Sequence, residues 1–284
     1  MKKSKNIKFA VTAIILVFLS LWIIRGNIAI EINNYTITDE NIPEGFSDFV
    51  ITHISDLHST SFGKNNRRLI EKIISTSPDI IVLTGDIIDQ NRHNTEVSIS
   101  FVKEAVKIAP VYYITGNHEA LTSEFDKFIK ETVDAGLIYL NNRTVTLKSN
   151  GDSISLTGID DPFLLTSYIS DNPEESLETT LSFLLPRDGY NILLAHRPNY
   201  FDIYKKGNPD LILSGHVHGG QFRLPFIGGL YAPDQGINPQ YDAGYYTDGT
   251  TEMIISRGLG NSRFPVRLNN TPEIITITLK NPEP

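Results

Sequence analysis

Residues 9–24 read FAVTAIILVFLSLWII without a charge, with Lys2, Lys3, Lys5 and Lys8 before them and Arg25 after them. The run falls slightly short of the roughly 20 residues of a full membrane span. Lys8 and Arg25 can snorkel outward and make up the difference. Trp22, near the outer end, suits an interfacial position. A cleaved signal peptide needs small residues at a cleavage site, and residues 24–28 offer no convincing one. A buried core helix is rarely apolar on every face. The pattern therefore predicts a basic tail at 1–8 and a transmembrane anchor at 9–25. The lysines before the run place the tail in the cytoplasm, so the expectation is a single-pass cell-membrane protein whose main domain is extracytoplasmic.

Beyond this run the pattern changes. Residues 26–45 read as a connector, punctuated by Pro43 and Gly45. Short runs rich in Val and Ile then recur at 49–54, 80–83, 111–114, 154–156, 192–195, 211–213, 253–255 and 274–279, and each predicts a strand. Leu69, Ile70, Ile73 and Ile74 form one apolar helical face, Phe125, Phe128, Ile129 and Val133 another, and 174–185 predicts a third helix. Strands alternating with helices imply an α/β fold with a largely parallel or mixed sheet under helices, as one sheet or as two packed sheets. Nothing between 46 and 284 marks a boundary, so one domain is expected there.

The formal charge of -8 is uneven. Residues 1–30 hold five basic side chains and no acidic one, which leaves 20 Lys and Arg against 33 Asp and Glu in the rest, a balance of -13. So acidic a body makes a poor tracker of polyanions, and no nucleic-acid surface is expected. A phosphate substrate stays open, because bound cations reverse the local field. The chain has no cysteine. Disulfides, thiolate sites and cysteine nucleophiles are excluded, so any metal must be held by His, Asp, Glu or Asn.

Polar motifs follow the predicted strands. Ser55-Asp56-Leu57-His58 follows the first, Thr84-Gly85-Asp86 the second and Thr115-Gly116-Asn117-His118-Glu119 the third. His196-Arg197-Pro198 and Ser214-Gly215-His216-Val217-His218-Gly219-Gly220 follow two later ones. Carboxylate, imidazole and amide oxygen suit borderline-to-hard divalent ions, and strand C-termini are where α/β sheets place ligands. In an extended segment residues two apart face the same way, so Asp56 and His58 can reach one ion and His216 and His218 can serve a pair. A lone Asp-x-His or Gly-Asp is often an ordinary turn. The five motifs together, holding five of the seven histidines, are not explained so. His53 and His93 lie outside the pattern and read as strand and loop residues.

The order Asp-x-His, Gly-Asp, Gly-Asn-His-Glu, His, Gly-His-x-His resembles the signature of the calcineurin-like metallophosphoesterase superfamily, from Phe49 to the C-terminus. The strings SDLHSTSFG and SRGLGNSRFPVRLNNTPEI are similar to a bacterial membrane-associated phosphodiesterase branch that includes UDP-diacylglucosamine hydrolase-like proteins. The resemblance implies two packed mixed β-sheets flanked by helices, an αββα sandwich. It implies two divalent ions (Mn, Zn or Fe), one held by Asp56, His58, Asp86 and His218 and the other by Asp86, Asn117, His196 and His216, with Asp86 bridging. His118 is then the catalytic histidine.

On that reading the ion pair supplies hydroxide for in-line attack on a phosphate ester, a diester in preference to a monoester. His118 protonates the leaving oxygen. Glu119 and Asp89 orient ligands rather than bind metal. Arg197 contacts a substrate phosphate or makes a surface salt bridge, and Asp160 and Asp161 have no evident role. The substrate is expected in the cell envelope or linked to lipid. The alternatives are a pyrophosphate hydrolase of a UDP-sugar lipid and a non-catalytic metal-bound scaffold. The aromatic residues between Phe222 and Tyr246 form either a substrate wall or a packed loop.

Overall fold

The computed structural model describes residues 2–92, 94–165, 170–186, 188–262 and 264–282; His93 lies outside the described residues. All eight apolar runs form strands, and they belong to two six-stranded mixed sheets. The first sheet has the order β1 (Glu31–Thr38), β16 (Glu273–Lys280), β2 (Val50–Ile54), β3 (Ile80–Thr84), β4 (Val111–Ile114), β5 (Ile138–Tyr139). The second has the order β14 (Gly244–Asp248), β15 (Thr251–Ile255), β9 (Leu211–Ser214), β8 (Asn191–Leu194), β7 (Asp152–Gly158), β6 (Arg143–Ser149). Strands β2 to β5 are parallel, and so are β7, β8, β9 and β15. Two small hairpins follow β9: β10–β11 (Arg223–Leu224, Gly228–Gly229) and β12–β13 (Tyr231–Ala232, Gly236–Ile237).

Both faces of the central strands are covered, which is why they read as unbroken apolar runs rather than alternating ones. In β3, Ile80 and Val82 pack between the sheets while Ile81 and Leu83 pack under helices. In β9, Leu211 and Leu213 join the inter-sheet core and Ile212 faces outward. Helices α2 (Arg67–Ser75), α3 (Thr95–Ala105) and α5 (Phe125–Asp134) cover the first sheet with Leu69, Ile73, Phe101, Val102 and Phe128. Helices α7 (Pro173–Leu184) and α8 (Phe201–Tyr204) cover the second with Leu177, Leu181 and Phe201. Asn172 caps α7 by accepting the Glu174 N–H, with Pro173 in its first turn. The short α4 (Asn117–Ala120) and α6 (Pro162–Leu165) complete the set.

Two expectations change. The segment expected as a connector supplies β1, which pairs in parallel with β16 at the sheet edge. The N-terminal helix α1 runs over Lys2–Ile28, past the expected end at 25. Its stretch Phe9–Ile28 is long and apolar enough to cross a membrane, and none of its described residues is buried. At about 1.5 Å per residue this stretch, Arg25 included, spans about 30 Å. The last turn of α1 is clamped to the domain. Asn27 Nδ2 donates to Arg267 O at 2.9 Å, Asn27 Oδ1 accepts the Arg267 N–H at 2.7 Å, and Arg68 Nη2 donates to Ile28 O at 2.8 Å.

Candidate metal centre

The five motifs meet at the carboxyl ends of β2, β3 and β4 from one sheet and β8 and β9 from the other. Asp56 Oδ1 stands 3.8 Å from His58 Nε2 and 3.5 Å from His218 Nε2. Asp86 Oδ2 stands 3.6 Å from His58 Nε2 and 3.3 Å from His196 Nε2. Donor atoms of Asp56, His58 and His218 gather within 4.8 Å of one another, as do those of Asp86, His196 and His216. Asn117 lines the same cleft, and its Oδ1 is buried without a hydrogen-bond partner. The seven residues singled out as ligands, and His118, are therefore together.

The route to convergence differs from the expected one. Asp56 (φ 52°), His58 (φ 47°), Asp86 (φ 52°), His216 (φ 71°) and His218 (φ 48°) are all left-handed, not extended. Asp56 and His58 meet because the chain turns after β2, not because strand residues alternate. Such conformations cost of order 1–3 kcal/mol each and cluster at functional sites. Cross-motif hydrogen bonds hold them. The His216 N–H donates to the Asp56 carboxylate at 3.0 and 3.1 Å, and the His118 N–H donates to Asp86 Oδ1 at 2.8 Å. Gly116 and Gly215 allow this approach, since a Cβ on either would collide with Asp86 or with Ser55 and Asp56.

All four ligand-type histidines have a polar neighbour at their outer ring nitrogen. His196 Nδ1 is 2.6 Å from Thr84 O, which assigns a proton there and leaves Nε2 as the atom facing Asp86. His216 Nε2 is 3.0 Å from Asp234 Oδ2, leaving Nδ1 as the inward atom. His58 Nδ1 lies 3.3 Å from Asp89 Oδ2, within ion-pair reach though not aligned as a hydrogen bond. Outer partners of this kind fix tautomer and ring orientation at metal sites. The Nδ1 of His218 faces Arg267 Nη2 at 3.2 Å.

Burial disfavours charge on every ring here. At His58 and His196 the carboxylates of Asp56, Asp89 and Asp86 overrule it and raise the pKa to about 9 and about 10. At His218 burial prevails and lowers it to about 3, and it also lowers His216 and His118. Burial pushes Asp56 and Asp86 up, but the neighbouring histidines hold both below the usual carboxylate range. The donor set fits divalent cations: two carboxylates stand among imidazoles with fixed tautomers, and the buried His196 Nε2 and Asn117 Oδ1 have no protein hydrogen-bond partner.

The arrangement differs from the reading of three flanking residues. Arg197 is buried, and neither a surface ion pair nor an uncommitted phosphate contact describes it. Its Nε and Nη2 grip Asp161 at 2.6 and 3.2 Å, and its Nη1 meets Asp234 at 2.5 Å. Asp161 thereby acquires a role, and Asp160 acquires one by accepting from Thr115 Oγ1 at 2.8 Å and Tyr139 Oη at 2.9 Å. Asp234 carried no sequence signal, and Ser262 and Arg267 lie in the quoted string SRGLGNSRFPVRLNNTPEI without a role assigned to them there, because each meets its site partner only through the fold. Of the aromatics between Phe222 and Tyr246, Tyr231 walls the cleft while Tyr241 and Tyr246 pack beside Phe201. His53 is buried in β2 with Nε2 2.8 Å from Thr84 Oγ1.

The model of the calcineurin-like phosphoesterase family matches residues 49–220. This chain belongs to the calcineurin-like phosphoesterases. The phosphoesterase is 34% identical over 259 residues to the uncharacterized metallophosphoesterase YkuE of Bacillus subtilis, covering 89% of this chain and 86% of that one. It is 29% identical over 236 residues to the phosphodiesterase YaeI of Escherichia coli, covering 81% and 82%. It is 27% identical over 249 residues to a transmembrane protein with metallophosphoesterase domain from Bos taurus, covering 84% of this chain and 54% of that one. The phosphoesterase is a metal-dependent hydrolase of phosphoric esters, with its candidate metal ligands clustered at the strand ends.

Proposed function

We propose that the protein is a two-metal phosphodiesterase anchored in the membrane by α1, with its catalytic domain, residues 46–284, outside the cytoplasm. The observation that carries the site reading is the approach of Asp86 Oδ2 to both His58 Nε2, at 3.6 Å, and His196 Nε2, at 3.3 Å. Asp56, His58, Asp86 and His218 would hold one ion, and Asp86, Asn117, His196 and His216 the other. Such ions supply an activated water and neutralise charge on the phosphoryl oxygens.

The remaining work falls to the chain. His118 Nδ1 accepts the Gln90 N–H at 3.2 Å, and its Nε2 points to Ser262 Oγ at 3.2 Å beside the cleft. Nε2 is thus the atom that would deliver a proton to the leaving oxygen. For that the ring must be cationic: Nδ1 would take a proton in place of the Gln90 N–H contact and face Asp89 Oδ1, 3.8 Å away. Preference for a diester rests on charge. Among the described residues lining the cleft the guanidinium is that of Arg197, already paired with Asp161 and Asp234. A singly charged diester demands less additional positive charge than a monoester dianion. The name of the YaeI relative points the same way. The hydrolase branch resembled by the terminal strings would cut a pyrophosphate within a UDP-sugar lipid at this same site.

Stripping metal with chelator and restoring Mn²⁺, Zn²⁺ or Fe²⁺ singly tests the reading. Bis(p-nitrophenyl) phosphate should turn over faster than p-nitrophenyl phosphate, and a pyrophosphate diester run alongside separates the related branch. Absence of turnover with every metal would sink the catalytic reading. Protection of the domain from protease in intact cells would sink the outward topology.

A further inference from the structure

The cleft over the candidate metal centre, about 260 Å³, has an unusual border for a site built from charged groups. Four of its lining residues are large, apolar or aromatic, and open to solvent: Leu121, Phe163, Tyr231 and Phe264, at 54%, 49%, 44% and 47% exposure. They come from four separate parts of the chain. Leu121 follows His118 at the end of α4, Phe163 lies in α6, Tyr231 in β12, and Phe264 in the loop before β16. Solvent-exposed apolar groups gathered from separate segments around a polar site mark an interaction surface.

What covers this rim follows from where α1 joins the domain. Strand β1 starts at Glu31 and runs parallel to β16, which is antiparallel to β2. The start of β1 is therefore at the end of the sheet where β2 delivers Asp56 and His58, and α1 leaves the domain from the cleft end. The join is stiff. Asn27 exchanges two hydrogen bonds with the Arg267 backbone, and Arg68 of α2 holds the Ile28 carbonyl from another side. The loop that receives Asn27 is the loop that carries Phe264. Gln221 Nε2 donates to Phe264 O at 3.2 Å and Val266 O at 2.7 Å, and the Phe264 ring packs 5.9 Å from that of Phe222. The Arg267 side chain continues inward to His218. One residue thus separates the foot of the apolar helix from a candidate metal ligand.

We infer that the rim of Leu121, Phe163, Tyr231 and Phe264 is a second membrane contact, which docks on the bilayer that α1 enters and turns the cleft toward it. A phosphoester carried on a lipid then reaches the site from the bilayer surface, its apolar part against the rim and its phosphate over the strand ends. Amphipathic surfaces that rest on a bilayer combine apolar side chains with nearby cations, and Arg25 is exposed beside the helix foot. The inference rests on the reading of a membrane-anchored phosphoesterase and adds the orientation of its site and the surface across which a lipid-linked substrate reaches it.

The test uses the full chain, whose lack of cysteine allows single labels. Leu121→Cys, Phe264→Cys and, as a control at the opposite end of the sheets, Asn150→Cys are labelled with bimane. Each is reconstituted into phosphatidylcholine–phosphatidylglycerol vesicles containing nitroxide-labelled lipid. Quenching at 121 and 264 but not at 150 is expected. Equal quenching at all three positions, or at none, overturns the docking. Quenching at 121 and 264 that appears only on dilution of protein in the bilayer, with disulfide cross-linking between unlabelled copies of the Leu121→Cys variant, assigns the rim to a second copy and overturns it too.

An activity ratio supplies a second reading. Leu121→Ser should lower turnover of a vesicle-borne phosphodiester, relative to soluble bis(p-nitrophenyl) phosphate, by about tenfold or more. A ratio unchanged from the parent overturns the proposed presentation of substrate. Quenching in the expected pattern without turnover of either ester under any metal would support the docking while sinking the phosphoesterase reading, so the two failures are distinct.

Discussion

The Glu119 carboxylate holds the backbone of Asp86: Oε2 accepts the Asp86 N–H at 2.8 Å, while Oε1 accepts those of Ile87 at 2.7 Å and Ile88 at 3.1 Å. Oε2 also takes the Gly116 N–H at 2.7 Å. One buried side chain thus joins the turn after β3, which carries Asp86, to the turn after β4, which carries Asn117 and His118. Burial, with the Asp86 charge, raises the Glu119 pKa to about 7.

Glu119→Gln preserves volume but sets an amide donor against backbone donors. Loss of an orienting partner at a metal site costs about 10–100-fold in metal affinity or activity. That loss should appear in metal titrations and in kcat together. Parent-like metal affinity in a folded variant would show that the Asp86 turn holds its shape without Glu119.

His118→Ala and Asp86→Ala should fail differently. The first leaves the seven candidate ligands in place, so metal content should persist while turnover of an ester with a poor leaving group falls by about 10²–10⁴-fold. The second removes the group shared by both ligand sets and should reduce bound metal. Two ions per chain in Asp86→Ala, measured by atomic emission, contradict the bridging assignment; undiminished turnover in His118→Ala contradicts the proton donor.

Asp234 is half-exposed, yet the hydrogen bond from His216 and the Arg197 charge keep it well below the ordinary carboxylate range. Asp234→Asn keeps the shape and removes the charge that orients His216. Because solvent screens this position, the loss should sit near the lower end for orienting partners, about tenfold in affinity for one of the two ions. Equal weakening of both ions would refute a role confined to His216.

His53 provides a pH test on a histidine that is not itself a candidate ligand. Burial, only partly opposed by the Asp56 charge, lowers its pKa to about 3 from 6.5. The unfolded chain therefore takes a proton near pH 6.5 that the folded chain refuses until about pH 3. Its contribution is intact above pH 6.5 and is lost as pH falls, by up to about 1.4 kcal/mol per pH unit. His53→Gln removes this titration and can still bond Thr84. The unfolding free-energy difference between parent and variant, from urea melts in detergent, should move in favour of the variant between pH 6 and pH 4. A pH-independent difference would refute the assignment.

The strands legible in the sequence were those covered on both faces. Edge strands β1, β6 and β14 escaped notice because each has a sheet neighbour on one side only and mixes exposed polar residues with a few buried ones. Helix α3 escaped as well: Ser98 is buried beside Ile99, Phe101, Val102 and Ala105, which blurs its apolar face.

The chemistry of the site was readable in local strings, because ligand types and strand ends are local properties of the chain. Which atoms meet was not. The left-handed turns at Asp56 and His58 are held by their own backbone N–H groups, which donate to Gly85 O and Asp86 O. His216 is oriented by Asp234 and paired through its N–H with Asp56, 160 residues away. The join between α1 and the cleft depends on Asn27 meeting Arg267 across 240 residues of sequence. Such contacts form only when the two sheets pack and bring their carboxyl ends together, so an apolar helix and a metal-ligand motif, each visible alone, became neighbours only in the folded chain.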